Sequence, residues 1–220
     1  MNETTMTQAV TSKSSATGDT FTKGTSGKGT NIRKITGTGM LSAIAYALMF
    51  LEFSVPFMPS FIKMDLSELP ALIGAFAYGP IAGVIICLIK NLLHLFLSST
   101  GGVGELSNFL LGASFVLVAG LVYKLKKNRK SALAGSIAGA LIMGVFSVFS
   151  NYFLVYPIYY NFMPQEAILA AYQLIFPGVN NIMECLIVFN MPFTFLKGIL
   201  SVVITFLIYK RLSPVLKGTH

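Results

Sequence analysis

Long apolar runs separated by short polar links are the feature that most limits what this chain can become. Six can be marked, at residues 35–53, 66–78, 80–97, 105–123, 132–156 and 192–209. A helix rises 1.5 Å per residue, so about 20 apolar residues match the ~30 Å hydrocarbon core of a bilayer. Most of the runs have that length, and 54% of the chain is apolar while only 11% is charged. A soluble domain carries about a quarter of charged residues. Lipid is therefore the expected solvent. The second run is the exception, because its length reaches only about 20 Å. It is expected to be tilted and shielded by its neighbours, or to cross only part of the membrane. A tight break, Tyr78-Gly79-Pro80, separates it from the third.

The formal charge of +8 raises the question of nucleic acid. The basic residues sit in the links between apolar runs and form no patch, which argues against such a partner. Arg33 and Lys34 precede the first run, and Lys124, Lys126, Lys127, Arg129 and Lys130 fill the link between the fourth and fifth. Lys210, Arg211 and Lys217 follow the sixth. The alternate links, 54–65, 98–104 and 157–191, contain Lys63 as their only lysine or arginine. Positive charge stays on the cytoplasmic side. The expected fold is thus all-α, an integral membrane bundle of six transmembrane helices with both termini cytoplasmic, multi-pass in the cell (plasma) membrane. Residues 1–32, rich in Thr, Ser and Gly, are expected to be a disordered cytoplasmic tail. Residues 33–213 form the bundle, and 214–220 a short cytoplasmic tail. The N-terminal tail shows no apolar core followed by a cleavage site, so the first run is expected to act as an uncleaved anchor.

Two outer links are unusual. Residues 54–63 (SVPFMPSFIK) are aromatic and hold two prolines, which makes them stiff. Residues 167–176 are apolar but too short to span, and are expected to lie at the interface or fold over the bundle. Apolar outer loops over a bundle suggest a pocket that opens outward and closes over something.

Polar groups inside lipid are expensive and usually point into the bundle. Lys197, in PFTFLKG at the start of the last run, has Thr194 one turn away on the same face. It either faces a ligand or snorkels to the interface. Asn151, in FSVFSNYFLVYP, offers two donors and two acceptors, to a ligand or to a neighbouring helix. Gly101-Gly102-Val103-Gly104 opens the fourth run, but Glu105 in the first turn would repel a phosphate; helix capping is the better account. Asp65 and Glu68 look like a capping pair for the second run. Lys90 and His94 share one face of the third, with no partner acid evident at that depth, and are expected to pair within the bundle. Cys87 and Cys185 have no metal-ligand spacing and are expected to be inert buried thiols. Ala43 and Ala47 make a small face on the first helix, suited to internal packing or to docking another membrane subunit. There is no GxxxxGK[ST], no HExxH and no Ser/His/Asp arrangement.

Several stretches together carry a resemblance: Asp65-Leu66-Ser67-Glu68-Leu69-Pro70, Tyr78-Gly79-Pro80-Ile81-Ala82-Gly83, Leu88-Ile89-Lys90-Asn91-Leu92-Leu93-His94, and Gly102-Val103-Gly104-Glu105-Leu106-Ser107-Asn108-Phe109. Over residues 33–212 the chain resembles the substrate-binding S-components of energy-coupling factor (ECF) vitamin transporters, and most of all their riboflavin-specific members. The resemblance implies a six-helix bundle that captures riboflavin outside the cell. It also implies partners, a transmembrane coupling protein and two ATP-binding cassette ATPases, and it gives Ala43 and Ala47 the docking role. No cofactor is implied; riboflavin is the transported ligand. In the riboflavin-specific members the last-helix motif reads Pro-Phe-Asn-x-x-Lys. Lys197 matches the lysine, while Thr194 stands at the asparagine, and Asn151 matches a fifth-helix asparagine. Asp65, Glu105 and Asn108 lie in the matching stretches and join the ligand-binding candidates, with Phe57 and Phe61 beside the isoalloxazine. The lack of tryptophan weighs against the thiamin-specific relatives. Two other readings stay open at this point: an S-component for a different vitamin, and an intramembrane enzyme using Glu105, His94 or Asp65.

Overall fold

The computed structural model describes residues 26–98 and 100–217. Residues 1–25, most of the expected N-terminal tail, lie outside the described residues, as do 218–220 at the other end. Two units are distinguished, and the first, ending at Thr36, contributes here the opening of helix α1 (Ser26–Met49). The second, from Gly37, holds everything else. A two-residue hairpin, β1 (Phe53–Ser54) and β2 (Lys63–Met64), pairs Phe53 with Met64 and Ser54 with Lys63. The helices α2 (Glu68–Tyr78), α3 (Pro80–His94) and α4 (Val103–Leu125) follow. Then α5 (Arg129–Ser150) runs through a π turn (Asn151–Val155) into α6 (Tyr156–Tyr159). Helix α7 (Gln165–Gln173) is short, and α8 (Ile182–Cys185) runs through a second π turn (Leu186–Asn190) into α9 (Met191–Lys217).

Four stretches are long and apolar enough to cross a membrane: Pro80–Leu97, Val103–Leu125, Arg129–Tyr159 and Ile182–Ile208. The last starts ten residues before the apolar run read from the sequence, because the charge of Glu184 and the polarity of Asn190 hid its first turns. The short second run is explained by its surroundings. Every residue from Glu68 to Phe76 is buried, enclosed by α3, α4 and α9. A helix apolar all round belongs inside a protein, so the ~16 Å length of α2 meets other helices and never has to match lipid. Its stop is local. Gly79 takes φ 108°, a conformation open to glycine, and Pro80 begins α3, where a missing N–H costs nothing.

Small residues bring the long helices together. A Cβ on Gly139 would lie 2.7 Å from the Phe115 carbonyl oxygen, and one on Gly135 would lie 2.9 Å from that of Ala119, so α5 rests directly on the backbone of α4. Two apolar clusters result. One, with Leu72, Ile86, Phe115 and Met143, centres on α2. The other gathers Val155, Tyr156 and Leu186 beneath Ile168 and Tyr172 of α7, which folds over the bundle as the apolar 167–176 stretch suggested. Cys87 and Cys185 are free and buried, as expected.

Candidate ligand-binding site

A cavity lies where the two clusters meet, with Met143 from the first in its wall and Val155, Tyr156 and Ile168 from the second. Its empty space, mouth included, is about 1080 Å³. Of the residues singled out in the sequence, Asp65, Glu105, Asn108, Asn151, Thr194, Lys197 and Phe61 all line it. Phe57 does not. It sits at the tip of the hairpin, 75% exposed, and the aromatic wall comes from Phe61 and Tyr159 instead, with ring centroids 5.9 Å apart. The hairpin is closed by an ion pair between Glu52 and Lys63, both of which also face the cavity.

Lys197 is not a lone cation awaiting a ligand. Its Nζ donates to Asp65 Oδ2 at 2.8 Å and to Asn108 Oδ1 at 3.0 Å. Asp65 does more than cap the start of α2: its Oδ1 accepts from the Ser67 backbone N–H at 2.8 Å and from the Ser67 hydroxyl, while its Oδ2 takes Lys197. Burial alone would raise the Asp65 carboxyl, but the Lys197 and Lys90 ammoniums outweigh burial and hold it well below the usual carboxylate range. Glu68, also expected as a cap, is instead the partner acid missed for Lys90: Lys90 Nζ donates to Glu68 Oε1 at 2.7 Å and also to the Ser67 hydroxyl. Lys90 and Glu68 are 0% and 1% exposed. A continuous chain, Lys197–Asp65–Ser67–Lys90–Glu68, thus sets two ammoniums against two carboxylates. Gly112 gives it room, since a Cβ there would strike the Glu68 carboxylate.

Glu105 belongs to a second group. Its Oε1 lies 2.8 Å from His94 Nδ1, and its Oε2 accepts from the Ser98 hydroxyl at 2.7 Å. Capping of α4 is done by Ser98 and Thr100, whose hydroxyls accept from the Gly102 and Gly104 N–H groups. The two π turns supply the amides. Asn151 opens the first and Asn190 closes the second. Both are buried and both line the cavity. A π turn carries one residue more per turn than an α-helix and is common at functional sites. Asn151 Oδ1 accepts from Ser107 on α4 at 3.1 Å. Asn190 Oδ1 accepts from Tyr172 of α7 at 2.7 Å. Asn190 and Tyr172 were missed in the sequence, although Asn190 carries the same signal as Asn151, an amide inside an apolar stretch.

A bundle of apolar helices with one open, aromatic and amide-lined cavity has the form of a membrane-embedded receptor for a small molecule. The comparisons make the class definite: the chain belongs to the family "ECF transporter, substrate-specific component", whose model matches residues 33–209. Similar proteins include the riboflavin transporter RibU of Staphylococcus aureus (strain TCH60), 37% identical over 187 residues, 85% of this chain and 93% of that one. The riboflavin transporter FmnP of Bacillus subtilis (strain 168) is 31% identical over 186 residues, 83% of this chain and 93% of its own. A solved structure described as the S component of a bacterial ECF transporter is 35% identical with a TM-score of 0.67, covering 85% of this chain and 99% of the other. The chain is therefore a transporter component and not an enzyme, and the intramembrane-enzyme reading falls.

The Lys90–Glu68 pair gives a direct test of the charge chain. Lys90→Met leaves a buried carboxylate unpaired and is expected to destabilise the protein by about 3–5 kcal/mol, whereas replacing both partners by apolar residues is often near neutral. The thermal midpoint in detergent should fall for Lys90→Met and largely recover in Lys90→Met/Glu68→Leu. A single variant as stable as the double would rule out such a pair.

Proposed function

We propose that this chain binds riboflavin in the cavity and delivers it into the cell as the substrate-specific subunit of an ATP-driven ECF importer. The observation that carries the reading is the cavity itself: apolar and aromatic walls with a few converging amide and ammonium groups, in a chain that covers nearly the whole length of relatives named as riboflavin transporters. The isoalloxazine lies against Phe61 and Tyr159, while Asn151, Thr194 and Lys197 meet its polar edge or the ribityl hydroxyls. Thr194 keeps one donor and two acceptors where an asparagine would reach further.

A membrane coupling protein and two ATP-binding cassette ATPases supply the energy, since the chain has no phosphate-binding GxxxxGK[ST] loop of its own. Ala43 and Ala47 are both exposed on α1, on the side opposite the buried Leu41 and Ala45. An exposed small-residue face suits close approach of a partner helix, and we assign it to the coupling protein. The six-crossing arrangement in the plasma membrane with cytoplasmic termini rests on the alternating basic links.

Three measurements bear on this proposal. Protein purified in mild detergent should bind riboflavin by calorimetry. Lys197→Ala combined with Asp65→Asn, which leaves no orphaned carboxylate, should weaken that binding about ten- to a hundredfold, the loss of one charged hydrogen bond of roughly 1.5–3 kcal/mol. Unchanged affinity would move the pocket elsewhere. Replacing Ala43 and Ala47 by leucine should abolish uptake in cells while leaving riboflavin binding by the isolated chain intact; lost binding would make the face internal packing. Cysteines placed at Arg129 and Asn161 should label from opposite sides of the membrane, and labelling of both from outside would refute the six crossings.

A further inference from the structure

We infer that Asn190 is a specificity-determining residue of the cavity, and that Tyr172, which does not reach the cavity, positions it; the inference rests on the riboflavin reading above. Asn190 is 7% exposed and lines the cavity from the end of the second π turn. Its Oδ1 accepts from Tyr172 Oη at 2.7 Å. Tyr172 has one hydroxyl proton, and that proton is committed to Asn190. The contact of 2.6 Å between the Tyr172 and Tyr156 hydroxyls therefore has Tyr156 as donor. The hydrogen-bond direction is set from Tyr156 through Tyr172 to Asn190. With its oxygen held, the Asn190 carboxamide presents Nδ2, a pure donor with two hydrogens, of which the neighbouring Tyr156 hydroxyl takes one and leaves the other for the cavity.

Asn151 repeats the arrangement. Its oxygen is held by Ser107, and its Nδ2 has no partner among the described residues. Lys197 has three protons, of which Asp65 and Asn108 take two. Three donor-bearing side chains, Asn190, Asn151 and Lys197, thus line one space. An occupant that displaces water from these donors must answer with acceptors, such as the carbonyl oxygens and unprotonated ring nitrogens of a flavin's edge. A ligand bearing N–H groups at the same places is rejected, because donor would face donor. Tyr172 belongs to α7, so the helix that folds over the bundle also sets the polarity of the pocket floor.

The test uses the full chain, purified in mild detergent and stripped of flavin, titrated with riboflavin by calorimetry. Asn190→Asp still accepts from Tyr172 but turns an acceptor oxygen into the cavity, and is expected to weaken binding at least about thirtyfold. Tyr172→Phe should weaken it about three- to tenfold, and should have no further effect in an Asn190→Leu background. That cycle decides the matter even where Asn190→Asp does not fold. Wild-type affinity in Asn190→Asp, or an equal Tyr172→Phe effect in both backgrounds, would overturn the inference while leaving riboflavin binding in place. A wild-type chain that does not bind riboflavin would overturn the parent reading, and this one with it.

Discussion

The rest of the structure depends on one buried, charge-balanced chain. Lys197 on α9, Asp65 and Ser67 before α2, Glu68 on α2 and Lys90 on α3 form an unbroken series of hydrogen bonds. Each ammonium or carboxylate taken singly into such surroundings would be prohibitive. Together they balance, and each has a partner within hydrogen-bond distance. Geometry follows from that balance. Helix α2 can be short and buried from Glu68 to Phe76 because its first residue, Glu68, is neutralised by α3, and the loop before it is held to α9 by Asp65. The Lys197 ammonium in the cavity wall is placed by the same chain, so stability and binding share residues.

Apolar run length and link charge made the helical bundle legible in the sequence, since both are read one residue at a time. The pairings were not legible. Lys90 and Glu68 lie 22 positions apart, and Lys197 and Asp65 lie 132 apart. Local rules offered nearer explanations, and capping was a reasonable one for an acid at a helix start. Capping accounts for the bond from the Ser67 N–H to Asp65 but not for the lysines of other helices that Asp65 and Glu68 also meet, and a neighbouring cation outweighs a helix dipole. Phe57 was misplaced for a similar reason. Its aromatic character suggested the pocket, but the hairpin turns it outward while Phe61, four residues on, turns in.

Asn190 illustrates another limit. The apolar run read from the sequence begins at Pro192, because Glu184 and Asn190 interrupt what precedes it. The π turn before it lets the helix arrive at that proline already formed, and the amide two residues earlier becomes part of the wall. Neither π turn has a side-chain pattern by which it could be read in advance.

Those two turns also mean that the site is written in residue count as well as residue type. Each holds one surplus residue relative to an α-helix. Removing that residue from either would let the helix relax to regular form with its flanks still in register, so the whole change would fall on the turn itself. The widened backbone beside Asn151 and Asn190 would then close, and with it the setting of the amides that Ser107 and Tyr172 hold. Every substitution in these segments could be conservative and the cavity would still be lost to a one-residue change in spacing.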